Sequence, residues 1–185
     1  MKKIKTIFKR DWEGNHKVIN EYIDGFDPEI LKKAIATEKA DGTNVRITVR
    51  NKTIVRLEKR CNPSKLQKAK GIEDPWYVDA DRNDPGDQYI WEATYNFDAS
   101  SLADDEYSAE AIGPKIQGNK LELTKHELYL FSIYPKFILN TPISYDELKE
   151  WLPKQKSLIN PEVGIEGIVW HCQNGEMFKI KLKDF

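Results

Sequence analysis

The segment Lys39-Ala40-Asp41-Gly42-Thr43-Asn44 places a lysine amine directly before a short polar turn. A lysine amine becomes a covalent nucleophile once it has lost its proton. Gly42 fits a tight turn or a close approach of backbone to a ligand, and Asp41 and Asn44 are short polar residues suited to turns. Taken alone, the segment reads first as a lysine beside an ordinary Asp-Gly turn. A second feature lies far along the chain: Lys179 and Lys181 are two residues apart in a strand-like run, so both side chains point the same way. His16, His126 and His171 are isolated and show no metal-ligand spacing. Cys61 and Cys172 form no CxxC or zinc pattern.

Several short segments follow one another in an order that resembles the covalent nucleotidyltransferase superfamily of DNA ligases, RNA ligases and mRNA-capping enzymes. Lys39-Ala40-Asp41-Gly42-Thr43-Asn44 is similar to its KxDGxN nucleotidyl-lysine motif, and Arg60 to the motif Ia arginine. Glu110-Ala111-Ile112-Gly113 resembles the ExxG of motif III, and Leu128-Tyr129-Leu130-Phe131-Ser132-Ile133 the aromatic strand of motif IIIa. Glu166-Gly167-Ile168-Val169 resembles motif IV, and Lys179-Ile180-Lys181 the KxK of motif V. Each segment is common alone; their shared order is specific.

The resemblance implies ATP as cofactor, with Mg²⁺ or Mn²⁺. It implies attack of the Lys39 amine on the α-phosphorus, departure of pyrophosphate, and a phosphoramide on Lys39. Lys179 and Lys181 would screen phosphate charge, since phosphoryl transfer rests mainly on positioning and electrostatics. Glu166 would be a hard oxygen ligand for the metal. Glu110 would bind the ribose hydroxyls, Phe131 would pack on the adenine ring, and Glu38 would read the adenine exocyclic amine. Asn44 would contact the reactive phosphate. Arg60 would hold a phosphate or sugar, a task that suits a guanidinium. Arg46 would either join this group or form a surface ion pair. Lys115 and Lys120, with Lys65, Lys68 and Lys70, would line a basic groove along a nucleic-acid backbone.

The continuation Gly113-Pro114-Lys115-Ile116-Gln117-Gly118-Asn119 resembles the GPxIQGN stretch of several RNA ligases, and Asn44 stands where DNA ligases more often have arginine. The expected partner is therefore RNA with a 5′-phosphate and a 3′-OH. The alternatives are a minimal DNA ligase, another nucleotidyltransferase, or a nucleotide-binding protein that has lost sealing activity. Intact Lys39, Glu110, Glu166, Lys179 and Lys181 weigh against the last. Only a short arm precedes Lys39, so ATP rather than NAD is the expected donor. Phe185 lies just past the KxK segment, so the expectation is one minimal domain over 1–185 without a C-terminal OB-fold.

The elements that must position these residues read as α+β: antiparallel sheets flanked by helices. Ile4–Lys9 alternates. Asp27 caps a helix over Pro28–Ala36, with Ile30, Leu31 and Ile35 on one face. Val45–Val49 and Thr53–Lys59 form a hairpin. Asn62–Lys70 is a loop or short helix, Glu73–Gly86 an exposed loop, and Gln88–Asn96 either helix or strand. Tyr107–Ile112, Glu127–Tyr134, Gly164–His171 and Glu176–Leu182 are strands, with an Asn174-Gly175 turn between the last two. Ser144 opens a helix through Leu152, with a capping box to Glu147. Lys+Arg 29 against Asp+Glu 30 gives a net charge of −1, which counts against passive coating of nucleic acid but not against one basic groove. The N-terminus has no apolar signal core and no run is long enough to span a membrane, so a cytoplasmic protein is expected.

Overall fold

The computed structural model describes residues 3–132, 138 and 140–185. In chain order the strands are β1 (Lys5–Thr6), β2 (Phe8–Arg10), β3 (Val18–Tyr22), β4 (Ile35–Glu38), β5 (Thr43–Arg50), β6 (Thr53–Cys61), β7 (Trp76–Asp79), β8 (Glu106–Ile112), β9 (Glu127–Leu130), β10 (Gly167–His171) and β11 (Met177–Lys181). The helices are α1 (Lys65–Ala69), α2 (Pro85–Tyr95) and α3 (Tyr145–Trp151). The fold is α+β with largely antiparallel sheets. It divides into two compact units, Met1–Lys3 with Asp41–Tyr134, and Ile4–Ala40 with Pro135–Phe185.

The first unit holds a five-stranded sheet in the order β7-β6-β5-β8-β9. The β5–β6 hairpin ends on Arg50 paired with Thr53, leaving Asn51 and Lys52 as a two-residue turn, both at positive φ (49° and 62°). That geometry matches the right-handed twist of the flanking strands. Alternation gives the sheet two different faces. Val45, Ile47, Val49, Leu57, Ala109, Ala111, Leu128 and Leu130 pack into one core with Ile90 and Ala93 of α2. The opposite face carries Asn44, Arg46, Glu58, Tyr77 and Glu110.

The second unit holds a four-stranded sheet, β1-β11-β10-β4, and a β2–β3 ribbon. Its core gathers Ala36, Ile168, Trp170, Phe178 and Ile180 from the sheet, with Leu31, Leu148 and Leu152. The other face carries Thr37, Val169, His171, Lys179 and Lys181, as the register Thr37–Val169–Lys179 requires.

Several sequence expectations change or are refined. Pro28–Lys33 is a short 3-10 helix with Asp27 at its N-cap, and Ile35 leaves it to start β4. Cross-strand pairing with His171 decides this, because Ile35 then belongs to a ladder rather than to a helical face. The supposed loop at Glu73–Gly86 contains β7, which Arg60–Tyr77 and Glu58–Asp79 pairing adds to the sheet edge. Of Gln88–Asn96, residues 88–95 are helical, in an α2 that starts earlier at Pro85, with Asp84 capping the Gly86 amide. At α3 the Ser144 hydroxyl donates to Glu147 at 2.5 Å and makes no cap bond to the helix backbone. Of the run expected through Tyr134, Glu127–Leu130 is strand, and Ile133 and Tyr134 lie outside the described residues.

The polar face of the first unit contains a buried charge. Glu58 is 2% exposed and accepts two bonds from Arg46, at 2.7 and 2.8 Å. Arg46 also reaches Glu106 at 2.9 Å, and Arg56 approaches Glu58 at 3.3 Å. The Glu58 bonds raise the Arg46 pKa above its ordinary value. Arg46→Ala leaves that carboxylate buried with Arg56 alone. The expected loss is about 3 kcal/mol, the low end for one partner of a buried pair. A lower urea midpoint at unchanged slope would show it.

Candidate active site

Lys39 follows β4 and keeps its ladder, its amide donating to the Gly167 carbonyl at 3.0 Å. Its ammonium donates to Glu166 Oε2 at 2.5 Å. Lys181 reaches the other oxygen of the same carboxylate at 3.3 Å. The Glu166 side chain is 8% exposed and that of Lys39 is 21% exposed, so the pair is largely shielded from solvent. Lys179 lies on the same face as Lys181, one pleat away. A lysine amine, a carboxylate and two further lysines, distant in sequence, thus share one sheet.

Gly167 explains how closely these strands approach. A Cβ there would lie 2.2 Å from the Ile180 carbonyl oxygen and 2.7 Å from Lys181 Cα, so only glycine permits the contact. The same logic governs Gly42, where a Cβ would lie 2.2 Å from the Ala111 carbonyl oxygen.

Glu38, next to Lys39, has a different place from the one its sequence position implied. Alternation puts it opposite Ile168 on the core side of the sheet, at 3% exposure. Its oxygens accept from Ser157 Oγ and the Leu158 amide, both at 2.6 Å. The Ser157 hydroxyl in turn accepts from the amides of Ile159 and Asn160. The carboxylate thereby anchors the 157–160 turn and does not share the face that carries Lys39.

His171 lies at the other end of β10, paired with Ile35, and its Nε2 is 3.0 Å from Thr37 Oγ1. Burial holds its pKa below the ordinary imidazole value. The unfolded chain therefore binds a proton that the folded chain refuses. The stability this contributes is complete above the unfolded pKa and is lost as pH falls through about 6.5 toward the folded value. The urea midpoint is expected to drop between about pH 7.5 and about pH 5.5, and His171→Phe to flatten that part of the slope.

The first unit carries its own polar cluster. Glu110 Oε1 accepts from the Gly42 amide at 3.3 Å, and Glu110 Oε2 from Asn44 Nδ2 at 3.4 Å. Tyr129 is paired across the ladder from Glu110, and Phe131 follows it, its amide bonded to the Ser108 carbonyl. Phe131 is half-buried, which leaves ring surface for packing. Arg60 lies on the β6 side near Tyr77 and donates to Asn62 at 3.2 Å. Arg46 pairs with buried Glu58 and with Glu106. Lys120 pairs with Asp41, and Lys115 lies 5.8 Å from the Tyr89 ring centre. These two lysines belong to a run of turns in which Lys115, Gln117, Gly118, Asn119 and Glu122 all have positive φ. Asn44, Arg46 and Arg60 share one sheet region; Lys115 and Lys120 sit in this separate loop.

Comparison with known proteins adds three findings. Residues 97–185 match the family model described as RNA ligase 1. They include Glu110, Phe131, Glu166, Lys179 and Lys181, while Lys39 and Asn44 precede them. RNA ligase 1 of Pongo abelii is 37% identical over 79 residues, 40% of this chain and 23% of that protein. A Naegleria gruberi RNA ligase mutant solved with ATP and Mn matches over 98% of this chain and 60% of its own, at TM-score 0.55 and 16% identity. Another mutant of that ligase, with AMP and Mn, gives TM-score 0.55 at 15% identity over the same shares. The chain thus spans under a quarter of the curated relative and about three fifths of the solved ligases. The fold is shared with the solved Naegleria gruberi RNA ligase, and the RNA ligase 1 family model matches residues 97–185.

Proposed function

We propose that the chain is the nucleotidyl-carrying part of an ATP-dependent RNA ligase. The observation that carries this reading is Lys39 held at 2.5 Å from a shielded carboxylate that Lys181 also contacts. The Lys39 amine attacks the α-phosphorus of ATP, a P–N bond forms, the bond to pyrophosphate breaks, and the amine proton leaves. An ammonium has no lone pair, so attack follows release of that proton, for which Glu166 is the adjacent acceptor. Lys179 and Lys181 oppose the charge gathering on the phosphate oxygens. AMP then passes to an RNA 5′-phosphate, and a 3′-OH displaces it to close the strand.

Among the described residues no group of three or more His, Cys, Asp or Glu could hold a resident metal. One carboxylate together with substrate phosphates is a common way to bind Mg²⁺ or Mn²⁺. Glu166 therefore fits an ion that arrives with ATP, and such an ion supplies neutralisation of phosphate charge. For the other residues we propose that Glu110 takes the ribose hydroxyls, Asn44 and Arg60 take phosphate, and Phe131 packs on adenine. No helix among the described residues is long and apolar enough to cross a membrane. The proposed setting is cytoplasmic, with RNA ends as substrate.

The test is incubation with α-labelled ATP or GTP and a divalent metal, followed by detection of label on the protein and then closure of nicked RNA or DNA. Label from ATP and sealing of RNA support the reading. Label from GTP only, or sealing confined to DNA, moves the chain to another branch of the same chemistry. No label under any metal condition removes the enzymatic reading.

A further inference from the structure

We infer that Tyr77 is a positioning residue that fixes which end of the Asn44 amide is presented as a hydrogen-bond donor. This rests on the reading of Asn44 as the contact to the reactive phosphate. Asn44 Nδ2 lies 3.4 Å from the Ala109 carbonyl and 3.4 Å from Glu110 Oε2. Both neighbours only accept hydrogen bonds when the carboxylate is ionised, so the amide must turn its NH₂ toward them. Its oxygen then faces Tyr77, whose hydroxyl lies 2.8 Å from Asn44 Oδ1. With an oxygen opposite it, the phenol must donate.

The ring is fixed in its turn. The Arg46 guanidinium lies 4.7 Å from the Tyr77 ring centre, and Arg46 is clamped by Glu58. Pairing of Arg60 with Tyr77 sets the backbone. The order is buried Glu58, Arg46, Tyr77, Asn44 and Glu110, running across the polar face from β6 to β8. Its effect is electrostatic. The two N–H contacts are long, at 3.4 Å, so a phosphate oxygen can replace one of them, and with Oδ1 held by the phenol at 2.8 Å it is N–H that turns toward that oxygen. Without the phenol only the two long 3.4 Å contacts hold the amide, so its plane is freer to rotate away from the orientation that presents N–H.

Tyr77→Phe tests this because it keeps the ring under Arg46 and removes only the hydroxyl. The readout is the rate of label transfer from α-labelled ATP to Lys39 over a range of ATP concentrations, in the wild-type and Asn44→Ala backgrounds. The expected result is a rate at saturating ATP lowered roughly ten- to a hundredfold in the wild-type background, with no further loss once Asn44 is alanine. Thermal melting of Tyr77→Phe is expected to match wild type. An unchanged rate in Tyr77→Phe overturns the inference. So does an equal loss in both backgrounds, which a merely structural role would produce. Failure of the wild-type protein to take label overturns the reading of the site itself, and the inference with it.

Discussion

Lys39→Arg is expected to abolish transfer of label from α-labelled ATP to the protein while leaving the fold intact. Arginine keeps a cation within reach of Glu166, so the contact now made at 2.5 Å has a replacement and the shielded carboxylate stays compensated. A guanidinium does not lose its proton in proteins, so it offers no lone pair to phosphorus. Loss of a nucleophile costs at least about 10⁴-fold in rate, which takes the label below detection. Lys39→Ala removes label too, but it leaves Glu166 with Lys181 and so mixes a chemical effect with a structural one. The arginine variant separates them: melting close to wild type with no label identifies Lys39 as the carrier. Label persisting on Lys39→Arg would place the nucleotide on another side chain.

Gly167→Ala is expected to have the largest effect on stability. The added Cβ would meet the Ile180 carbonyl oxygen at 2.2 Å and Lys181 Cα at 2.7 Å. Both are backbone atoms of β11, so no side chain can swing aside. The strands must part, and Glu166, Lys181 and the Lys39 ladder depend on that junction. Overpacking usually costs about 1–3 kcal/mol, and a clash of backbone with backbone belongs at or above the top of that range. The same change at Gly164 is the control. A Cβ there would meet the Gln155 carbonyl oxygen at 3.7 Å, ordinary contact, and its effect is expected to stay within about 0.5 kcal/mol. Chemical denaturation of the two variants tests this; equal loss at both positions would refute the crowding argument.

The two variants probe features that differ in how far the sequence revealed them. Resemblance to the ordered motifs of a known superfamily made Lys39, Glu110, Glu166, Lys179 and Lys181 legible as candidates; spacing by itself said only that Lys179 and Lys181 share a face. The paired strands β5 and β6 were legible because alternation and turn chemistry act within a few residues. β7 was not. Trp76–Asp79 sits in a stretch rich in Asp and Pro, and it is a strand because β6 offers an edge to pair with. Glu38 shows the limit most directly. Its position beside Lys39 implied a shared site, but neighbouring residues in an extended chain point to opposite faces.

The sequence by itself determined the residue types of the site, their order, and the α+β character of the fold. The fold character follows from short-range rules, namely hydrophobic alternation, capping and turn chemistry, and the candidate site residues from the resemblance of their ordered motifs to a known superfamily. Only the tertiary structure decided which side chains meet. Lys39 and Glu166 are 127 residues apart in sequence, and Tyr77 and Asn44 belong to separate strands. Register across a sheet fixes such pairs, and register is set by burial of a whole face at once rather than by any local stretch of chain.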